Sequence, residues 1–169
     1  VGDWRFAGAG SFRVGPSPLN GDWYSVSAED VVARACRFDD VFRFNADGTF
    51  ENVNGDDTWL ETWQGGGDEG SCGASVAPHN GSTPAFWEFD DVADTLKIDG
   101  LGAYLGLPKA VNEGELPNVA VPDSVTYTVD VLAASGASMT VYVESGEGVF
   151  WPFDLKKKVS DARLIGDWK

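Results

Sequence analysis

In Thr58-Trp59-Leu60-Glu61-Thr62-Trp63-Gln64, two indoles stand four residues apart with a carboxylate between them and an amide beside them. As a helix, this piece puts Trp59 and Trp63 on one face; as a strand, it puts Trp59, Glu61 and Trp63 on one face. Either way the rings can act together, with Glu61 or Gln64 as polar neighbours. Sugar rings present apolar C–H faces that stack on aromatic planes, while Asp, Asn, Gln and Glu bond their hydroxyls. A flat aromatic surface with a few polar groups is therefore the make-up of a carbohydrate site. The competing use of both rings is to pack one end of a barrel. Trp23-Tyr24, just after a Pro-rich turn, is placed to flank the same rim. Tyr104, in a Gly-rich segment ahead of Asn112 and Glu113, is placed to form a lid or a wall. Trp4 is expected to be structural, and Phe42, Phe44, Trp87, Phe89 and Trp151, in alternating segments, to be core.

Catalytic chemistry is not legible. A Ser-His-Asp triad would need His79, the sole histidine, which reads as a loop residue, and no Gly-x-Ser-x-Gly elbow is present. A glycosidase needs two carboxylates across the scissile bond. With 27 acidic residues the adjacent pairs Asp39-Asp40, Asp56-Asp57 and Asp90-Asp91 carry little information. Asp39 and Asp40 offer hard oxygens to Ca2+, but Asn45-Ala46-Asp47-Gly48 lacks the bidentate Glu of an EF-hand. Two Cys and one His without metal-ligand spacing make a poor zinc set. We therefore expect neither an enzyme nor a required cofactor.

The elements that must position these residues are strands. Phe38 to Phe44 alternates, turns at Asn45-Ala46-Asp47-Gly48 and returns as Thr49 to Val53. Phe86–Phe89 and Thr95–Ile98 make a second hairpin through residues 90–94. Val125–Val131 and Met139–Val143 make a third through residues 134–137. A last strand runs from Val149 to Lys156, where Pro152 suggests an edge or a bulge. One short helix is expected after Ser27, with Asp30 completing a capping box and the end near Cys36. Residues 65–84 and 100–122 read as long irregular connections. Hairpins in chain order make an antiparallel meander, whose edges are best removed by closure into a barrel of roughly eight strands. A two-sheet sandwich is the alternative.

Composition sets the outer bounds. The chain of 169 residues fits one domain, and 43% hydrophobic residues supply a core. A net charge of -15 argues against nucleic acid, which needs clustered cations; it suits a solvated surface, a salty habitat or weak Ca2+ binding. No apolar run is long enough to span a membrane as a helix. Two cysteines, Cys36 and Cys72, in a Gly- and Trp-rich chain suggest one disulfide and a secreted or cell-surface protein. Two buried free thiols are the alternative.

Gly-Asp-Trp occurs at residues 2–4, 21–23 and 166–168. The third copy, after a charged linker, echoes the first, so residues 1–158 are expected to be one module and 159–169 a linker and the start of a truncated next repeat. Neighbouring repeats of the same chain are then expected partners. Gly2-Asp3-Trp4, Cys36, Asp39-Asp40, Phe42-Arg43-Phe44-Asn45 and Asp47-Gly48-Thr49-Phe50 resemble lipocalin-like (calycin) domains of secreted bacterial proteins. Val14-Gly15-Pro16, residues 58–65, Ala77 to Ser82 and Gly102 to Ala110 look like a repeated module of marine bacteria, similar to ones appended to secreted polysaccharide-degrading enzymes. The resemblance implies secretion, a β-barrel and association with glycans. The combined expectation is a non-catalytic carbohydrate-binding module using Trp59, Glu61, Trp63, Gln64, Trp23, Tyr24 and Tyr104. A carrier of a small apolar ligand and a structural or adhesion spacer are the rivals.

Overall fold

Segments with an apolar residue at every second position pair in chain order, each with the next. The computed structural model describes residues 1–158. Its barrel strands are β1 (Gly2–Phe6), β2 (Val41–Phe44), β3 (Thr49–Val53), β4 (Ala85–Asp90), β5 (Thr95–Asp99), β6 (Ser124–Leu132), β7 (Ser138–Glu144) and β8 (Phe150–Lys157). All neighbours are antiparallel, and β1 closes the ring by pairing with both β2 (Trp4 opposite Phe42) and β8 (Trp4 opposite Lys157). The expected all-β meander is thus a closed eight-stranded barrel, not a sandwich. Its interior holds the inward alternates: Trp4 and Phe6 of β1, Leu96 and Ile98 of β5, Val125 and Tyr127 of β6, and Trp151, Phe153 and Leu155 of β8.

The hairpins follow their turn residues. Gly48 takes a positive φ of 87°, closing the turn from Asn45, and Asp47 accepts the Thr49 N–H at 3.0 Å. Pro152 lies within β8 opposite Tyr142 and does not break that ladder. Its nitrogen points to the other flank, between Phe150 N–H bonded to Gly15 O and Asp154 N–H bonded to Ser11 O. Along that flank β8 extends past β1 and meets residues 11–15 through isolated bridges at Phe12 and Gly15, between which a missing donor is tolerated.

Helix is richer than the single expected element. Ser27 and Asp30 form the anticipated reciprocal cap of α1 (Ala28–Ala33), each side chain accepting the other's N–H at 3.0 Å. After Arg34 a second turn, α2 (Ala35–Phe38), buries Cys36 and Arg37. This turn shortens the strand expected from Phe38, which starts only at Val41. Phe38 instead packs its ring 5.8 Å from Phe6 and 5.9 Å from Phe12. Cys36 is disulfide-bonded to Cys72. Cys72 lies in a short strand, Ser71–Gly73, that pairs with Thr58–Leu60, so the bridge pins α2 to this ribbon.

The two ends of the barrel are unlike. At the hairpin end are the turns at 45–48, 91–94 and 133–137, together with Val1 and Lys158, whose N–H bonds to Asp3 O. At the loop end are the connections 7–40, 54–84, 100–123 and 145–149. The 100–123 connection folds into the barrel mouth. Leu105 N–H donates to the buried Tyr127 hydroxyl at 2.9 Å, and the Asn52 amide brackets the Tyr104 backbone at 2.8 and 3.2 Å. Gly106 sits at φ 84° directly on the Phe153 ring, where a Cβ would come within 2.6 Å of ring carbon. The loop end of the lumen is therefore filled by chain. The third Gly-Asp-Trp and the expected linker lie outside the described residues.

Two outcomes follow for stability. Gly106→Ala should cost about 2–4 kcal/mol, combining overpacking with left-handed strain, measured by chemical denaturation; an unchanged midpoint would mean that the loop does not pack on Phe153. Replacing Cys36 and Cys72 by Ser should cost about 3–4 kcal/mol, the loop-closure contribution of a bridge across 36 residues, and reduction of the native protein should reproduce that loss.

Candidate functional site

Residues 58–64 are neither helix nor continuous strand. Thr58–Leu60 is extended, Thr62–Gln64 is a single 3-10 turn, and Glu61 N–H donates to Gln64 Oε1 across it at 3.1 Å. The change of geometry between Trp59 and Trp63 separates their rings. Trp59 lies half-buried with the Arg34 guanidinium 4.7 Å from its ring centroid and Gly70 against its edge. Trp63 turns inward and meets the His79 ring edge-on at 5.6 Å. The shared two-indole platform expected from the four-residue spacing is therefore not formed. The rule of one face holds within one regular element, and a strand-to-turn junction is not one.

Beneath this segment lies a buried polar cluster centred on Arg37, which is 2% exposed. Its Nη1 donates to Asp40 Oδ2 and to the Tyr104 hydroxyl, each at 3.1 Å, and its Nη2 donates to Trp59 O at 2.7 Å. Thr58 Oγ1 donates to the same Asp40 oxygen at 2.6 Å. Burial pushes the Asp40 carboxyl up to about 7, against the pull of Arg37 and Thr58. Tyr104, expected as a lid or wall, is instead 2% exposed and belongs to this cluster. A ligand cannot reach its ring. Asp40 is likewise engaged inside the protein, so Asp39 and Asp40 do not form the open oxygen cluster that Ca2+ would want. Cys36, Asp57 and Cys72 also converge, but both sulfurs are in the disulfide and unavailable as thiolate ligands.

Above the cluster, at the loop end, a cleft of about 250 Å3 is lined by Phe12, Tyr24, Arg34, Glu61, Leu107, Lys109 and Trp151. It unites seven residues from six separate stretches of chain. Of the expected site residues, Tyr24 and Glu61 line it, Trp59 supports Arg34 from behind, and Trp63 and Gln64 stand outside its lining. Trp23, 56% exposed, follows the cleft rim as the neighbour of Tyr24. Tyr24 donates its hydroxyl to Asp30 Oδ2 at 3.1 Å, and burial raises its pKa. Lys109 Nζ lies 5.1 Å over the Trp151 ring and 3.8 Å from Glu61 Oε1. Trp151 Nε1 donates to Glu115 Oε1 at 2.8 Å. Arg34, Lys109 and Trp151 were not among the expected site residues. Trp151 read as core from its alternating strand, and nothing local marked the two cations. A second, apolar recess of about 190 Å3 opens at the hairpin end among Val1, Trp4, Phe44, Trp87, Phe89, Leu96, Val129, Leu132 and Met139.

No family model matches the sequence, and no curated protein matches it.

His79, read as an ordinary loop residue, is buried beside Trp63 and Tyr104 (ring centroid 6.1 Å from the latter), and its Nδ1 has no hydrogen-bond partner. Burial, helped by Arg37, lowers its pKa to about 4. A lowered folded value means that neutral His79 stabilises fully above its unfolded pKa near 6.5, and that this contribution is lost as pH falls towards 4. Asp40, raised to about 7, works oppositely: its contribution is present at low pH and lost as pH rises through 7. The two slopes offset, so the wild-type profile alone is uninformative. The comparison with His79→Gln isolates one of them. Between pH 7 and 4, wild type should lose up to about 3 kcal/mol relative to H79Q; parallel pH profiles would refute the assignment.

Proposed function

We propose that this chain is a non-catalytic carbohydrate-binding module of a secreted multidomain protein, holding one unit of a polysaccharide in the loop-end cleft. The observation that carries the reading is the lining of that cleft: the half-buried ring of Tyr24, alongside the largely buried Phe12 and Trp151, next to the hydrogen-bonding groups of Arg34, Glu61 and Lys109. Sugar faces need the first and sugar hydroxyls the second. The filled barrel mouth favours a ligand that lies on the loop end over one that enters the lumen. Catalysis is disfavoured because, among the described residues, Glu61 is the single carboxylate lining the cleft and no Ser, Cys or His lines it; hydrolysis of a glycoside needs a pair of carboxylates. The disulfide Cys36–Cys72 is compatible with an oxidising, extracellular setting. No helix among the described residues is long and apolar enough to cross a membrane.

A second reading, binding of a small apolar ligand, is favoured by one observation, the apolar recess at the hairpin end. Its volume of about 190 Å3 lies below the several hundred Å3 of sites for drug-sized ligands, which limits it to a small occupant.

The test is affinity electrophoresis of the protein in gels containing individual polysaccharides, with tryptophan fluorescence as a second readout. Retardation by at least one polysaccharide is expected, with Glu61→Gln weakening it about tenfold, the loss of one hydrogen bond to a charged group. A folded E61Q that binds like wild type would move the site elsewhere. A panel with no retarding polysaccharide would leave the apolar-ligand and spacer readings.

A further inference from the structure

We propose that the saccharide unit taken by the loop-end cleft is anionic, and that its carboxylate or sulfate is recognised by Arg34 and Lys109. The proposal rests on the carbohydrate reading and adds the class of sugar.

The protein carries a net charge of -15 and only 12 Lys and Arg residues. Several of these cations are held closely by carboxylates. Arg43 bonds Asp3 at 2.8 Å, Lys97 meets Asp99 at 2.8 Å, Arg37 bonds Asp40 at 3.1 Å, and Arg13 is bonded to Asp154. The two cations of the cleft are different. The nearest carboxylate oxygen is 3.9 Å from Arg34 (Asp30) and 3.8 Å from Lys109 (Glu61), beyond hydrogen-bond distance. Among the described residues neither side chain donates a hydrogen bond to protein. Up to eight N–H donors on two charged groups thus have no close acceptor, and both groups line one cleft.

Both cations are nevertheless held in place. Arg34 lies over Trp59 and Lys109 over Trp151, at 4.7 and 5.1 Å from the ring centroids. A cation resting on an indole face is positioned by the ring quadrupole without using any of its N–H donors. The indoles therefore orient two charged groups while leaving their donors for an incoming oxyanion. A guanidinium fork matches two oxygens of a carboxylate or sulfate, and an ammonium adds a point charge beside it. Glu61 does not compete for the same role. It offers a carboxylate to a ring hydroxyl, and Lys109, 3.8 Å away, offsets its negative charge. Asp30 Oδ2 is occupied by the Ser27 N–H and the Tyr24 hydroxyl, and its Oδ1 stays 3.9 Å from Arg34 Nε.

Polyuronate (alginate) and sulfated galactan (carrageenan) gels separate the two sources of anionic oxygen, and a neutral glucan (laminarin) is the control. Expected is retardation by at least one anionic polymer and little by the glucan, with Arg34→Gln and Lys109→Gln each weakening it about tenfold, the loss of a charge-assisted contact. Lys109→Arg should restore most of the binding, and the control Lys157→Gln, at the opposite end, should leave it unchanged. Circular dichroism confirms that each variant is folded. Three outcomes overturn the proposal. If laminarin binds as well as the polyanions and R34Q and K109Q are silent while E61Q is not, the cleft is a neutral-sugar site and the carbohydrate reading stands. If K157Q weakens binding as much as R34Q and K109Q, the polyanion is held by diffuse charge and not by the cleft. If no polymer binds, the carbohydrate reading falls with it.

Discussion

A guanidinium buried at one end of the barrel is the constraint on which the rest of the loop end depends. Arg37 stays charged at any accessible pH, and removing it from water is costly unless its donors find acceptors. One acceptor, Asp40, lies three residues on at the entry to β2; the others come from distant segments, the Trp59 carbonyl in the 58–60 ribbon and the Tyr104 hydroxyl in the long 100–123 connection. Bonding the two terminal nitrogens of one side chain therefore fixes two distant segments relative to α2. The disulfide adds a covalent tie between the same helix turn and the paired ribbon. Buried charge pairs of this kind contribute little net stability, but breaking one is costly. The consequence is an ordered arrangement of loops that long connections would not otherwise hold.

That ordered layer separates the barrel from its cleft. Below it, Tyr104, Leu105 and Gly106 occupy the mouth of the lumen against Tyr127 and Phe153, so the barrel is packed where a hollow one would open. Above it, the edges of the same loops leave a shallow, mixed-charge cleft. Trp59 connects the two levels: its carbonyl accepts from Arg37 below, and its ring supports Arg34 beside the cleft. The orientation of a cleft cation is thus coupled, through one residue, to the buried charge.

The barrel itself was legible in the chain. Alternation in Thr95–Ile98, Val125–Val131 and Met139–Val143, and turn residues such as Asp47-Gly48, are local signals that act over a few residues, and the strands from β2 to β8 lie within about three residues of their expected limits. The capping box at Ser27 and Asp30 is equally local. The misses lie where a distant partner overrides the local pattern. Phe38 continues the alternation of β2 but is drawn into α2, where Cys36 and Arg37 have their partners. Tyr104 looked like an exposed aromatic in a Gly-rich loop, yet its hydroxyl is claimed by a charge 67 positions away.

The candidate site was half legible for the same reason. The aromatic and polar character of residues 58–64 and 23–24 can be read from their types, and Tyr24 and Glu61 do meet in one cleft. That Arg34, Lys109 and Trp151 join them, and that Trp59 and Trp63 part, follows from the packing of segments spread from residue 12 to residue 151. Periodicity and turn chemistry are properties of neighbouring residues, so the sequence alone determined an antiparallel meander and its hairpins, while closure of the barrel was settled by the pairing of β1 with β8. Which side chains share a surface depends on burial and pairing between distant segments, and that was decided only when the buried Arg37 cluster brought the loops together.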